Sequence, residues 1–191
     1  MSGDIGGYLD SYKKHRTKLL REHGKQRADD YKWTVYTTWE ISFERLSSEA
    51  ATFLQLCAYM HHDGISEEIF RRAATTTFEE LPSLVTDFLR SFLDTNEEWD
   101  TTRFLEVTNE LRRYSLIDFE FVNKVFSIHP LMHAWTCDAI TNGEITRTLA
   151  GLILAMSVNW EFGSDDQVFR RTLLPHVDVV VQGPSFANVD A

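Results

Sequence analysis

The stretch that decides the fold runs from Tyr114 to Trp135 and reads YSLIDFEFVNKVFSIHPLMHAW. Apolar and acidic side chains alternate from Ile117 to Phe121, which is the period of a half-buried strand. Asn123-Lys124 then suits a tight turn, because asparagine tolerates a positive φ. The stretch therefore predicts a β-hairpin whose second strand runs over residues 125–128.

A new helix is predicted directly after this hairpin. Pro130 suits the first turn of a helix, where its missing N–H costs nothing, and Leu131, Met132 and Trp135 continue the helical spacing. A single hairpin between helices is typical of a winged-helix domain. The predicted fold class is mainly α: a winged-helix domain, which is a helical bundle with one β-hairpin wing, flanked by an N-terminal helix and a C-terminal helical hairpin.

The remaining helices follow from apolar residues spaced near 3.6 and from polar capping residues. Ser47 or Ser48 is expected to cap one helix and Ser66 the next, with two glutamates in its first turn. The predicted helices lie at about residues 7–23, 34–46, 49–61, 67–75, 84–93, 99–114, 144–160 and 165–182. In the last of them, Val168, Leu173, Leu174, Val177 and Val180 form the apolar pattern.

The polar segment after Gly24 and the Asn142-Gly143 pair indicate boundaries between regions. Residues 1–30 are predicted to form an N-terminal helix and linker, and residues 31–141 the winged-helix domain. Residues 142–182 are predicted to form a helical hairpin. Residues 183–191, rich in small and polar types, are predicted to be a disordered tail.

Three segments in this order resemble the winged-helix region of NB-ARC/STAND signalling NTPases, in particular the fungal NOD-like receptors that carry C-terminal tetratricopeptide repeats. The segments are VYTTWEISFERL (Val35–Leu46), ATFLQLCAYMHHDGISEEIF (Ala51–Phe70), and FSIHPL (Phe126–Leu131) after RYSLI (Arg113–Ile117). The resemblance covers roughly residues 30–140. It implies that residues 1–30 are the tail of a preceding helical domain. The string LLPHVD at Leu173–Asp178 resembles the lead-in to tetratricopeptide repeats.

The resemblance also implies a role for His129. In that family the equivalent histidine contacts the β-phosphate of ADP held by a nucleotide-binding domain, and so couples nucleotide state to domain arrangement in innate-immunity signalling. The implied partners are a nucleotide-binding domain, in cis or in trans, and other proteins that bind through helical repeats. Ile128 stands where the family usually has methionine. Pro130 stands where it usually has aspartate, which removes a carboxylate and a backbone donor.

The chain itself is predicted not to be an enzyme. No G-x-x-x-x-G-K-[ST] string occurs, so no loop of this type can cradle nucleotide phosphates. Asp29-Asp30 follows a basic, polar stretch and is interpreted as a solvated loop rather than a magnesium site. No cofactor is therefore expected in this chain alone, and ADP or ATP is expected only in an intact parent protein.

Two alternatives to the regulatory role stay open. The first is a winged-helix DNA-binding protein that places residues 99–114 in the major groove. That helix carries Arg103, Arg112 and Arg113 but also two glutamates, and phosphate contacts dominate affinity for DNA. The second alternative is a truncated remnant that acts as a protein-interaction module.

Metal binding and acid–base catalysis have weaker signals. His129, His133 and Cys137 are spaced four apart and would share a helix face, a spacing that can hold zinc. No further ligand pair has a recognisable spacing, and His61-His62 could join only through the tertiary fold. The stripe is interpreted as mixed core and surface, with no metal site. The acidic segment Asn96–Asp100 is interpreted as surface, because no nucleophile accompanies it.

Composition favours a cytoplasmic protein without nucleic-acid or membrane partners. The formal net charge is −10, which disfavours anionic partners because these require clustered Lys and Arg. Two cysteines make a disulfide framework improbable and a reducing compartment the default. The N-terminal residues lack the apolar core of a signal peptide, and no apolar run approaches the roughly 20 residues of a membrane span.

Overall fold

The computed structural model describes residues 36–76, 82–158 and 163–183. The chain divides into two compact units, Met1–Leu46 and Ser47–Ala191. The predicted helix over 7–23, its linker and the tail over 184–191 lie outside the described residues. In the first unit, residues 36–43 are helical, which confirms most of the helix predicted at about 34–46, but residues 44–46 form a turn and a bend instead. Ser42 Oγ donates to the Thr38 carbonyl at 2.8 Å within this helix.

The second unit is mainly helical and carries one small antiparallel sheet. Its described elements, in chain order, are α1 (Ser48–Cys57), β1 (Ile65–Ser66), α2 (Glu67–Thr75), α3 (Ser83–Arg90), α4 (Thr101–Arg113), β2 (Asp118–Glu120), β3 (Val125–Ser127), α5 (Pro130–Ala139), α6 (Gly143–Ser157) and α7 (Ser164–Gln182). These elements confirm the prediction of a mainly α chain with a hairpin before α5.

Helix α1 begins where the sequence indicates and ends four residues early. The Ser47 side chain accepts from the Ala50 N–H and so caps the helix. The predicted end was near residue 61, but the last helical residue is Cys57. Two carbonyls beyond it, those of Ala58 and Met60, accept hydrogen bonds from side chains of α5. Side chains of α5 thus provide the hydrogen-bond partners that a longer α1 would have supplied to these carbonyls.

The sheet has the order β1-β3-β2, with both pairs antiparallel. Strands β2 and β3 form the predicted hairpin. The positive φ in its turn falls on Lys124, at 54°, and not on Asn123 as expected. Phe121 was expected to face inward along the strand, but it lies in the turn and is 72% exposed. Strand β1 was not predicted, because two residues directly before a helix carry no strand period.

Aromatic side chains form the centre of the core. Phe104 of α4 is fully buried and its ring centroid lies 5.6 Å from Phe53 and 5.8 Å from Phe126. Phe70 joins α2 to this cluster at 5.8 Å from Phe104. Edge-to-face and tilted contacts of this kind stabilise beyond the burial of area alone. The cluster holds α4 and the hairpin in fixed relation to α1 and α2.

Helices α6 and α7 confirm the predicted pair of C-terminal helices, but the buried face of α7 differs from the prediction. Phe169, Leu173 and His176 are buried, whereas Leu174 is 60% and Val168 is 62% exposed. Two apolar stripes compete on this helix, and helical periodicity alone does not select between them. The selected stripe meets Arg72 of α2, whose guanidinium lies 4.2 Å above the Phe169 ring.

Both thiols should resist chemical modification in the folded protein. Cys57 is fully buried, and burial raises the pKa of its thiol. Burial also raises the pKa of Cys137 to about 12. Since the thiolate is the reactive form, a thiol reagent at pH 8 should modify neither residue in buffer and both in guanidinium chloride. Rapid labelling of the folded protein would contradict the described packing.

In the part of the chain that the structure describes, no helix combines the length and the apolar character needed to cross a membrane.

Candidate functional site

His129 lies at the exit of the hairpin, between β3 and α5. Its side chain is exposed and it is the N-cap residue of α5, with Pro130 in the first helical turn as predicted. The ring Nδ1 accepts the Leu131 N–H at 3.2 Å. This capping bond accounts for a histidine at this position by local structure alone. It also determines which ring nitrogen is left to bind a partner.

A histidine whose Nδ1 accepts a hydrogen bond carries its ring proton on Nε2 in the neutral form. The cap of α5 therefore leaves Nε2 of His129 as an N–H donor on an exposed side chain. Such a donor can bind an anionic oxygen of a partner without loss of the cap. The arrangement suits contact with a phosphate or carboxylate group.

Two substitutions of His129 distinguish its role as the helix cap from any role of its imidazole ring. His129→Ala should lower the free energy of unfolding by about 1 kcal/mol, the usual cost of losing an N-cap acceptor. His129→Asn should recover most of that loss, because asparagine is a strong N-cap residue. Urea unfolding of the two variants and the parent measures the difference. Equal stability of the alanine and parent proteins would argue against the cap.

The backbone beside His129 connects to the loop that follows α1. The Ile128 N–H donates to the His62 carbonyl at 2.7 Å. The His62 ring lies 4.5 Å from the His61 ring and 6.2 Å from the His133 ring of α5. His61 in turn lies 6.3 Å from the ring of His176 in α7. We call His61, His62, His133 and His176 the histidine cluster.

Burial keeps much of the histidine cluster neutral at pH 7. Desolvation lowers the pKa of His133 and of His62, and the neighbouring His61 lowers the pKa of His62 further. Desolvation lowers the pKa of His176 to about 4. Neutral rings can donate to carbonyls without introducing buried charge. The cluster therefore joins the loop after α1 to α5 and α7 by hydrogen bonds and ring contacts.

The possible zinc ligands His133 and Cys137 make protein contacts instead. His133 Nε2 donates to the Met60 carbonyl at 2.8 Å, and Cys137 Sγ donates to the Ala58 carbonyl at 2.9 Å. Within residues 36–76, 82–158 and 163–183, no group of three or more His, Cys, Asp or Glu residues could hold a metal ion. Both side chains serve to fasten the end of α1 to α5.

The acidic segment before α4 also has a local structural role. The Asp94 carboxylate accepts the backbone N–H groups of Asn96 and Glu98, at 2.7 and 2.9 Å. Asp100 caps α4 by accepting from Thr102 and Arg103. These carboxylates build a turn and a helix cap, the ordinary use of aspartate at such positions.

The sequence pointed to His129 as a candidate site residue and gave no indication of the histidine cluster. The His61-His62 doublet was considered only as a source of metal ligands, and His176 only as part of a family-like string. The one local signal was the doublet beside Asp63-Gly64, a turn that exposes side chains. The contact of His61 with His176 spans 115 positions of the chain, and no short pattern encodes it.

The described residues thus define a mainly helical protein with a small three-stranded antiparallel sheet and a capping histidine at the end of its hairpin. The family model described as "Domain of unknown function (DUF7779)" matches residues 41–145. That range is 105 of the 191 residues, so the chain belongs to this family. The matched range includes the hairpin and His129, whereas His176 lies beyond it. Neither a curated protein nor a solved structure matches the chain.

Proposed function

We propose that this chain is a regulatory, non-catalytic winged-helix module of a STAND-type signalling NTPase. It binds a nucleotide-binding domain, in cis or in trans, and couples the ADP-bound state of that domain to domain arrangement. His129 is the residue that contacts the nucleotide. The module supplies no nucleotide-binding loop of its own, in keeping with the absence of a G-x-x-x-x-G-K-[ST] string.

The order of elements supports a winged-helix assignment. Helix α1, strand β1, helix α2, helix α4 and the β2–β3 hairpin follow one another as in a winged-helix domain, with α3 added between α2 and α4. The sheet order β1-β3-β2 places the hairpin beside the short first strand, as expected for a wing. Fold alone carries no function, so the proposal depends on the site at the end of the wing.

The single observation that carries the proposal is the hydrogen bond from the Leu131 N–H to Nδ1 of the exposed His129 ring. The ring is exposed, and its Nδ1 is engaged with the Leu131 N–H, so Nε2 is presented as a donor. A phosphate oxygen is an acceptor that such a donor binds well. The cap also fixes the ring at the point where the wing ends. Changes in nucleotide state can then be transmitted to the hairpin and to α5.

The DNA-binding alternative has less support from the surface of α4. Arg112 lies 5.8 Å from the rings of both Phe119 and Phe121, and Arg103 donates to the Leu93 carbonyl. Both arginines are exposed, but each already has a partner on the surface of the fold. With a formal net charge of −10 for the chain, the phosphate contacts that dominate DNA affinity would be few.

Further protein partners through helical repeats have one supporting observation. Leu174, Val177 and Val181 share one face of α7 and are 60%, 39% and 73% exposed. Helical repeats bury such faces against the next repeat. This face of α7 is therefore the proposed point at which further helices would stack.

Association with a nucleotide-binding domain tests the proposal. Calorimetric titration would measure binding of the full chain to an NB-ARC nucleotide-binding domain encoded in the same genome, loaded with ADP or with a non-hydrolysable ATP analogue. We expect tighter association in the ADP state, and loss of that preference with His129→Asn, which keeps the cap. Association that is absent, or that is equal in both nucleotide states, would contradict the proposal.

A further inference from the structure

Helix α7 contains Pro175 in its interior. Proline has no N–H to donate to the carbonyl four residues earlier, and its ring crowds that carbonyl, so the helix is weakened at this point. Before the proline, α7 is held to α2 by the ion pair of Asp166 with Arg72 at 2.7 Å and by the Phe169 ring beneath the guanidinium. The segment after it, residues 176–182, therefore depends on attachments of its own.

His176 directly follows the proline and gives this segment a polar attachment to the loop before β1. Its side chain is 1% exposed, and its Nε2 donates to the Gly64 carbonyl at 3.3 Å. Its Nδ1 is buried and has no hydrogen-bond partner within the part of the chain that the structure describes. A second ring proton, on Nδ1, would therefore lack an acceptor and would bring a charge into a buried position. The segment's apolar attachment is the packing of Val180 against Gly151 of α6, which does not titrate.

The loop that accepts this hydrogen bond carries a second histidine opposite α7. The His61 ring lies 6.3 Å from the His176 ring. His61 Nδ1 lies 3.2 Å from the backbone nitrogen of Asp63 and 3.1 Å from its carbonyl oxygen. A neutral ring can accept from that N–H, whereas a ring protonated on both nitrogens can only donate, and then to the carbonyl. Protonation of His61 would thus change the hydrogen bonding of the loop and place a like charge beside His176.

Charged side chains from three elements and the loop border the same cavity as His176: Asp63 of the loop, Glu68 and Arg72 of α2, Glu120 of the hairpin and Asp165 of α7. Glu68 and Arg72 form an ion pair at 2.6 Å, and the carboxylates of Glu120 and Asp165 are exposed, where solvent screens them. Burial is the largest influence on His176 and lowers its pKa to about 4, and His61 lowers it further, against the Gly64 hydrogen bond and Asp63. The latched position therefore disfavours the imidazolium.

We propose that His176 and His61 form an acid-sensitive latch, which holds residues 176–182 of α7 against the loop before β1 and releases them about Pro175 on protonation. The rest of the second unit stays folded when the latch opens. Release moves Val177 and Val181, two exposed apolar residues of this segment. The latch does not depend on the contact proposed between His129 and ADP, so either proposal can fail without the other.

Hydrogen–deuterium exchange of the full chain, followed by mass spectrometry at pH 7 and pH 5, tests the latch. Each rate is divided by that of an unstructured peptide of the same sequence at the same pH. We expect the relative exchange rate of residues 176–182 to rise roughly twentyfold at pH 5, which follows from a His176 pKa of about 4 when latched and 6.5 when released.

Urea at concentrations below the unfolding transition distinguishes local release from global unfolding. A local opening exposes little surface, so exchange of residues 176–182 should hardly depend on urea. Exchange of the buried side of α4 should rise steeply with urea, because the aromatic core must unfold before these amides are exposed.

Matched glutamine substitutions locate the effect. His176→Gln keeps an N–H donor for the Gly64 carbonyl and cannot titrate, so residues 176–182 should exchange at nearly the same relative rate at pH 7 and pH 5. His133→Gln is the control, because it makes the same change within the histidine cluster at a ring whose described contacts are with Met60 and His62. It should keep the acceleration of the parent.

Three results would overturn the latch. The first is an unchanged relative rate for residues 176–182 between pH 7 and pH 5, and the second is an acceleration with the same urea dependence as α4. The third is an equal acceleration in the parent and in His176→Gln. If circular dichroism shows that His176→Gln does not fold, His61→Gln takes its place. Its acceleration should be smaller than that of the parent, because the like charge is removed, and an unchanged acceleration contradicts the latch.

Discussion

Replacement of Phe104 by alanine is expected to lower the free energy of unfolding by about 3–5 kcal/mol. Its ring is fully buried and contacts aromatic rings of α1, of α2, of β3 and of the segment between α3 and α4. The neighbouring ring centroids lie between 5.5 and 5.8 Å away and belong to Phe53, Phe70, Phe92, Trp99 and Phe126. The loss combines the transfer free energy of a phenyl ring with a cavity that rigid neighbours cannot fill.

Phe121→Ala is the matched control for this prediction. The same chemical change is made at the tip of the hairpin, where the side chain is 72% exposed. Its expected cost is below about 1 kcal/mol, since exposed substitutions away from special features have small effects. Urea unfolding followed by far-ultraviolet circular dichroism measures both. Similar losses at the two positions would contradict the described core.

Acidification from pH 6.5 to pH 4 is expected to destabilise the second unit through His176. The pKa of this ring falls from its ordinary value of 6.5 to about 4 on folding, mainly because burial disfavours the imidazolium. Between these values the unfolded state binds more protons than the folded state, so stability falls as pH falls. The contribution of His176 is present above pH 6.5 and is lost progressively down to pH 4. It amounts to roughly 3 kcal/mol, at about 1.4 kcal/mol for each pH unit.

His176→Leu isolates this effect from the titration of other groups. His61 and Asp63 act on His176 from the loop opposite α7, and they remain in the variant. We expect the free energy of unfolding of His176→Leu to depend less on pH between 6.5 and 4, whatever its value at pH 7. Identical slopes in the parent and in His176→Leu would contradict the buried neutral ring.

Local signals predicted much of the fold. Ser47, Ser66 and Asn142 occupy the N-cap positions of the helices α1, α2 and α6, near the predicted starts. Only the Ser47 side chain makes a capping hydrogen bond, so the capping role expected of Ser66 is not observed. The hairpin before Pro130 followed from alternation and a turn, both properties of adjacent residues. Elements of this kind are stabilised by interactions between residues a few positions apart in the chain. Local sequence patterns therefore predict them.

The features that escaped prediction depend on distant residues. Strand β1 exists because Ile65 and Ser66 pair with Phe126 and Val125, some sixty positions away. The buried stripe of α7 is selected by Arg72 and Gly64, which lie in α2 and the loop before it. For the site, the position of His129 followed from the pattern and the resemblance. The cap on its Nδ1, and hence the proton on Nε2, required the geometry.

The affinity of ADP for the nucleotide-binding domain, measured with and without this chain, tests the central proposal most directly. Binding free energies are reciprocal, so a chain that prefers the ADP state must tighten ADP binding by the same factor. We predict a decrease in the Kd of ADP of about tenfold, within the usual range of coupling. That decrease should be lost with His129→Asn, which retains the cap of α5. An unchanged Kd, or an equal decrease with the parent and with His129→Asn, would contradict the proposed role of His129.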